Sequence, residues 1–311
     1  MYAATEVLRR LKSLQDIRHL LRSIRAMSAI RWRRARVRLR SAQAYASAVD
    51  RQLALATTIT TPLTRGANHA GAADALAARQ VGLIALTSDR GLCGTFNAGL
   101  VSHALDTIDR ERAQRNEIKV ISLGGYGERF FRQADCEMLL TEHFPLTHAV
   151  SFVEARDIVG RIKQFYEAGA FDTLHLIYNK FISFGRYERA EVRLLPPDLN
   201  AVWCSVRESQ GDTCTPVPED LILGTPPQDM QAFLLWEHLA VQIYLALIES
   251  MVSEHGARLQ TMDAAISNLD ERVDQLQLQY HAIRQESITR EVLEVQSNTR
   301  SRKARAPRTY N

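Results

Sequence analysis

From Gln228 to Gln296 the apolar positions repeat at steps of three and four: Leu234, Val241, Leu245, Ile248, Val252, Leu259, Met262, Ile266, Leu269, Val273, Leu276, Tyr280 and Ile283, with His238 and His255 filling the gaps. A repeat of 3.5 residues held over about seven heptads specifies a left-handed coiled coil. The segment has no proline and a single glycine, Gly256, and it follows a start signal in Thr225, Pro226 and Pro227. It predicts one helix over 228–296, about 100 Å long at roughly 1.5 Å per residue. A compact domain of this size cannot enclose such a helix.

A coiled coil needs a second helix. The N-terminal stretch offers one through Val7, Leu11, Leu14, Ile17, Leu20, Ile24 and Met27, also at steps of three and four. Antiparallel pairing of the two ends within one chain is the economical arrangement, because a domain between them can have its entry and exit close together. A coiled coil between two chains satisfies the same periodicity. The C-terminal helix is the longer of the two, so one of its ends needs cover from another protein.

Between the ends the period changes. Val81–Leu86 is an apolar run of strand length, and a Gly-containing loop then leads to a helical pattern over Ala98–Arg112. Ile118–Leu123 predicts a strand, Glu128–Gln133 a short helix, Ser151–Ala168 a longer helix and Thr173–Tyr178 a strand, with Ala190–Leu195 adding another. Strands alternating with helices indicate βαβ units and a mostly parallel sheet covered on both faces. The expected fold is therefore a long antiparallel coiled coil of N- and C-terminal helices plus a central Rossmann-like α/β domain. The expected segments are an N-terminal shaft helix (1–58), a linker (59–80), the α/β domain (81–200), a loop (201–227), the C-terminal shaft helix (228–296) and a basic tail (297–311).

Charge sharpens this picture. The first 51 residues hold 13 Lys+Arg against only Glu6, Asp16 and Asp50, a net of +10 in a chain of net +4, so the remainder sums to −6. Arg300, Arg302, Lys303, Arg305 and Arg308 make the far end basic as well. Ends and middle are expected to meet different partners. An Arg-rich start also suits a transit peptide, but the helical pattern runs through it without a break, which makes it part of the fold. No uninterrupted apolar run reaches the roughly 18 to 20 residues of a membrane span, so contact with a membrane is expected only through other proteins. Cys93, Cys136, Cys204 and Cys214 lack paired metal-ligand spacing and are expected to be reduced thiols, with Cys204 and Cys214 the only pair worth testing as a disulfide.

Candidate chemistry is sparse. Ser88–Gly94 follows a strand, as a phosphate loop would, but it lacks the Gly-Lys-Ser/Thr ending, and its glycine spacing does not fit a dinucleotide fingerprint. Gly124-Gly-Tyr-Gly127 reads as a tight turn. Cys93 has no neighbouring His to activate it, and the nine His are scattered with no ligand spacing. No cofactor, metal or catalytic residue is expected. Arg31, Arg33, Arg34, Arg36, Arg38 and Arg40 on one helix could neutralise phosphates, which makes a coiled-coil nucleic-acid-binding protein the alternative function. An arginine face turned to an acidic protein partner or to solvent is the plainer reading and is preferred.

Three sets of segments together resemble the gamma subunit family of F-type ATP synthases. They are Arg10-Leu-Lys-Ser-Leu-Gln-Asp-Ile-Arg18 continuing to Arg33-Arg-Ala35; Thr87-Ser-Asp-Arg-Gly-Leu-Cys-Gly94 with Asn97, together with Tyr178-Asn-Lys-Phe-Ile182; and Ser253–Asn268 followed by Tyr280–Gln285 and Ser287–Glu294. The resemblance covers nearly the whole chain. It implies a non-catalytic central rotor shaft inside a hexamer of alpha and beta subunits, with the epsilon subunit and the membrane c-ring as further partners and no nucleic acid. Rotation would couple ion flow to ATP synthesis and hydrolysis at the cytoplasmic face of a bacterial membrane. The resemblance also carries over shaft contacts to the hexamer: Arg22, Met27, Arg284 and Gln285. Departures are the bulky Trp32 and extra arginines in a stretch of small residues, Leu221–Pro227 before the last helix, Asn268-Leu269 where the family has Asn-Ala or Asn-Gly, and the tail from Arg300. They leave open a diverged paralogue serving an alternate ion-translocating ATPase.

Overall fold

The computed structural model describes residues 2–60, 79–143, 150–210 and 224–304. Cys214, the linker residues 61–78 and the last part of the basic tail lie outside them. Contacts divide the chain into two compact units, residues 1–27 with 260–311 and residues 28–259, so the division falls inside both long helices.

In the larger unit the sheet is built from β1 (Gln80–Leu86), β2 (Glu117–Leu123), β3 (Glu137–Glu142), β4 (Thr173–Ser183) and β5 (Arg186–Leu195) in the order β3-β2-β1-β4-β5. β1 pairs in parallel with β2 and β4, β2 with β3, and only β5 runs antiparallel, as a hairpin with β4. Helices connect the parallel strands: α2 (Phe96–Ala113), α3 (Gly125–Gln133) and α4 (Phe152–Glu167). α4 starts at a capping box, in which the Ser151 hydroxyl accepts from the Glu154 N–H and the Glu154 carboxylate accepts from the Ser151 N–H.

Alternation along β1 decides which helix covers which face. Val81, Leu83 and Ala85 point to α2 and α3, where they meet Leu100, Ala104, Ile108 and Phe131. Ile84 and Leu86 point the other way, to Ile158, Val159 and Ile162 of α4. On that second face the cover is completed by Leu239, Ala240, Ile243, Ala246 and Leu247 of the last helix, α6 (Pro227–Ala304). A window of α6 is apolar enough by length and composition to cross a membrane, with mean hydropathy 1.4, and half of it is buried. Its apolarity has a structural use in the core of this unit.

A third set of α6 residues faces the first helix, α1 (Tyr2–Thr60). Ile248 and Val252 pack on Ala35 and Leu39, Val241 on Ala46 and Val49, and Leu234 on Leu53 and Ala56. Rising numbers on α1 meet falling numbers on α6, so the pairing is antiparallel, and with buried Ala42 between Leu39 and Ala46 the α1 positions recur at steps of three and four. In the smaller unit Arg18 pairs with Asp270 at 2.9 Å and Arg25 with Asp263, again antiparallel. Every expected heptad position on α6 from Leu234 to Ile283 is buried or half-buried.

Four differences from the sequence reading have physical reasons. Ile17, Leu20 and Met27 do not lie in the seam but are 45%, 59% and 51% exposed. A strict heptad through Leu11 and Leu14 reaches Arg18, Leu21 and Ser28 instead, and Arg18 is tolerated there because Asp270 neutralises it. β3 was not expected; its residues are all exposed or half-buried, as befits an edge strand with no marked apolar run. Leu199–Gln210, read as loop, forms helix α5, whose Leu199 and Val202 pack beside Leu53 and Leu234. Finally, α6 continues helical to Ala304, past the expected end at 296.

Gly256 is where the hairpin tip reaches the long helices. A Cβ there would lie 3.3 Å from the Gly185 nitrogen and 3.6 Å from Trp32 Nε1, and Trp32 meets Phe184 edge-on at 5.1 Å. Trp32 thus has a packing role in a stretch where small residues were expected.

With Cys204 and Cys214 replaced by Ser, oxidation of an Arg25→Cys/Asp263→Cys protein is expected to give a disulfide within one chain, read as a faster-migrating monomer on a non-reducing gel; cross-linked dimers alone would contradict the intrachain pairing. Gly256→Ala should change unfolding free energy by less than about 1 kcal/mol, since its helix propensity gain offsets a tight contact. Gly256→Leu should lose about 1–3 kcal/mol through overpacking against the hairpin backbone, as measured by denaturant unfolding.

Candidate functional site

The loop Thr87–Gly94 leaves the end of β1 and spends its polar groups on its neighbours. Asn97, buried at the start of α2, accepts from the Ser88 N–H at 2.9 Å and donates to Ser88 Oγ at 2.6 Å and to Cys93 Sγ at 3.4 Å. The Ser88 hydroxyl donates to the Arg90 carbonyl at 2.6 Å. Thr87 Oγ1 donates to the Gly124 carbonyl and accepts from the Gly127 N–H, both at 3.0 Å. Gly124 itself sits at φ 111°, and a Cβ there would overlap the Thr87 carbonyl, so the chain turns at this one residue, whereas Gly125 to Gly127, expected to belong to a tight turn, open helix α3. From the second motif, Asn179 of β4 donates to the Phe96 carbonyl at 3.1 Å, so both motifs converge on the first turn of α2.

Position alone would make this crevice a phosphate site, because helix N-termini at the ends of parallel strands attract anions. Here the anion is internal. Asp89 Oδ1 accepts from the Gly125 N–H at 2.7 Å, which places a carboxylate over the first turn of α3. Cys93 is 2% exposed, and burial pushes its thiol above the usual range, so it is poorly suited to act as a nucleophile.

The loop is held from the other side by Arg258 of α6, whose side chain is 3% exposed. Its Nη2 donates to the carbonyls of Gly91 at 3.2 Å and Arg90 at 3.4 Å. The same nitrogen lies 2.7 Å from Glu254 as an ion pair rather than an aligned hydrogen bond. Nη1 faces His255 Nδ1 at 3.4 Å, a contact that requires an unprotonated acceptor. Loop backbone carbonyls turned to a buried guanidinium are the reverse of a phosphate cradle, which presents N–H groups. Beyond the clamp Leu92 stands 58% exposed at φ 64°, a left-handed conformation that costs a non-glycine residue about 1–2 kcal/mol. Periodicity makes His255 a gap-filler and gives Arg258 and Glu254 no role; the signal the sequence carries for them is a run of charge inside an otherwise apolar stretch of helix.

The sequence-derived contact residues lie in the smaller unit. Arg22 and Met27 are exposed on α1, and Arg284 and Gln285 are exposed on α6. They are not brought together, because Arg25 and Arg18 face Asp263 and Asp270, roughly four turns of α6 before Arg284. Around the second pair, Leu278, Ile288, Val292, Leu293 and Val295 are each more than half exposed. The last four lie beyond the heptad positions, which end at Ile283. In the larger unit Arg33, Arg34, Arg36, Arg38 and Arg40 are exposed, and Arg36 lies 5.2 Å over the Trp32 ring.

His255 gives this region a pH signature. Burial, followed by the charges of Arg258 and Arg31, pushes its pKa down to about 3. A histidine kept neutral in the native state, while the unfolded chain titrates near 6.5, contributes fully above that pH and loses its contribution as pH falls toward 3. Buried Glu249 and partly buried Glu254 are shifted upward by desolvation and work in the opposite sense, so the comparison must be with a variant that retains them. Between pH 6.5 and 5.5 the unsubstituted protein is expected to lose about 1 kcal/mol more unfolding free energy than His255→Asn. Parallel pH profiles for the two would show that His255 is not held neutral.

A family model described as ATP synthase matches residues 3–301. The ATP synthase gamma chain of Rubrobacter xylanophilus is 30% identical over 299 residues, covering 95% of this chain and 97% of its own length. That of Desulforudis audaxviator is 29% identical over 301 residues, covering 95% and 97%. Among solved structures, a chain of the Euglena gracilis mitochondrial ATP synthase OSCP/F1/c-ring superposes with TM-score 0.64 at 15% identity over 99% of this chain and 98% of its own. A chain of the Tetrahymena thermophila mitochondrial ATP synthase central stalk/c-ring gives 0.55 at 19% identity, over 79% and 99%. At such identities the structures speak for the fold, whereas the family model and the curated relatives align along almost the entire sequence: this chain belongs to the ATP synthase gamma-chain family.

Proposed function

We propose that this chain is the central rotor subunit of an F-type ATP synthase, turning inside a hexamer of alpha and beta subunits and coupling ion translocation to ATP synthesis and hydrolysis. The observation that carries the reading is the antiparallel pairing of α1 with α6 in a chain that aligns end to end with gamma chains. As a gamma-chain homologue it is a non-catalytic subunit of a peripheral, membrane-associated complex, and through its coupling role it regulates ATPase activity and ion flow. The epsilon subunit and the membrane c-ring are its further partners in this reading, at the cytoplasmic face of a bacterial membrane. Nucleic-acid binding through the arginine-rich helix has no comparable support, since the relatives that match along the chain are gamma chains.

Arg22, Met27, Arg284 and Gln285 are assigned to contacts with the hexamer, and their exposure on helices is what such contacts require. A shaft that must pass three similar sites cannot be held tightly at any of them, so transient bonds suit it better than an apolar socket alone. Charge-assisted and neutral hydrogen bonds from Arg284 and Gln285 would each contribute roughly 1–3 kcal/mol while formed.

Arg284→Ala and Gln285→Ala should therefore reduce ATP-driven ion pumping by about two- to tenfold while complex assembly and nucleotide binding stay near normal. The assay measures pumping, ATP hydrolysis and assembly together, with Glu291→Ala, an exposed neighbour, as control. Normal coupling in both variants, with normal assembly, would withdraw the assignment of these residues and leave the paired helices untouched.

A further inference from the structure

Within the smaller unit, the seam between α1 and α6 opens into a groove of about 810 Å³. Its floor is apolar, formed by Leu14 of α1 and Leu269 and Leu276 of α6, all half-buried rather than buried. Its rim is cationic. Arg9 and Arg10 stand on one side and Arg272 on the other, and Glu6 is the only carboxylate among the lining residues. That carboxylate is divided between two guanidinium groups, with one oxygen accepting from Arg9 and the other from Arg10. Three cations thus share one acid, and Arg272 has none of its own in the groove. Two sequence features that the rotor assignment left unused meet here: the surplus of arginine near the N-terminus and Leu269, where a small residue was expected.

The volume lies within the range of small-molecule sites, roughly 300–1,000 Å³. An inorganic anion would leave the leucines uncovered. A neutral amphiphile would gain nothing from the rim arginines, and a cationic one would be repelled. We propose that this groove binds an amphipathic monoanion, a medium-length alkyl or aryl chain ending in a carboxylate, with the chain on Leu14, Leu269 and Leu276 and the head group on Arg272 and Arg9. The guanidinium fork suits a carboxylate head because it can donate two parallel hydrogen bonds. The inference depends on the groove alone and stands apart from the rotor reading.

The full chain is titrated with 11-(dansylamino)undecanoic acid, followed by dansyl fluorescence, and in parallel with its methyl ester. The acid should bind saturably with one-to-one stoichiometry, and the ester about tenfold or more weakly. Combined Arg9→Ala/Arg272→Ala substitution should bring the acid down to the level of the ester, while Arg272→Lys falls between, keeping the charge but losing the fork. Leu269→Ala should weaken both probes. Helix content and melting temperature establish that each variant is folded, which exposed arginines make the expected result. Equal binding of acid and ester, or acid binding unaltered in the folded arginine variants, would overturn the proposal and assign the signal to adsorption on other exposed apolar residues of α6.

Discussion

The larger unit depends on one helix burying several faces at once. Between Leu234 and Leu259, α6 gives Val241, Ile248 and Val252 to α1 and Leu239, Ile243 and Leu247 to the sheet. Each fully buried side chain of this size contributes about 1.5–3 kcal/mol, so neither the sheet nor the helix pair in this unit is completed without α6. A coiled-coil seam alone needs two positions per heptad, and the extra apolar positions of this stretch are what remain when the seam is subtracted. The same demand explains why its composition approaches that of a membrane-spanning helix.

Since this stretch of α6 is packed on all sides, polar groups inside it must be matched. Arg258 is matched by the Arg90 and Gly91 carbonyls, Glu254 and a neutral His255, and Glu249 takes the Tyr178 hydroxyl. Nearer the start of the helix Glu237 accepts from Tyr45 at 2.7 Å and pairs with Arg156, while His238 meets Asp50 at 2.7 Å. An unmatched charge at any of these places would cost several kcal/mol, so each pair penalises a slipped register more than it stabilises the correct one. The clamp has a further effect on the loop after β1. With its carbonyls held by Arg258 and its Asp89 carboxylate over α3, the crevice at the strand ends is filled from within the chain.

The smaller unit solves a different problem, because only two helices are available to bury each other. Leu11, Met262 and Val273 are buried there, and most other seam residues are half-exposed. Register is fixed by Arg18–Asp270 and Arg25–Asp263, the second pair half-exposed and worth about 0.2–1 kcal/mol. Apolar residues unused by the seam, such as Leu20, Met27, Leu278 and Leu293, are left on the surface. A pair of helices whose outward faces carry leucine and methionine has the surface of a part that works inside something else.

The sequence by itself determined the two long helices, the heptad face of the second and the parallel α/β core, because each is written as a period: 3.5 along the C-terminal helix and alternation or short apolar runs in the middle. Its motifs also marked the loop Thr87–Gly94 and Asn179 before any contact was known. What only the tertiary structure decided were pairings between residues far apart in number. Ile17 and Leu20 are as apolar as Leu11 and Leu14 and yet are exposed, because the seam takes Arg18 in their place once it finds Asp270 across it. β3 carries no marked apolar signal because edge position asks little of a strand, and α5 is short enough for its composition to read as loop. Arg258 looked like an ordinary charge on a helix. It became the clamp of the central loop only because folding brings two carbonyls some 167 residues away to within hydrogen-bonding distance of a guanidinium that is itself buried.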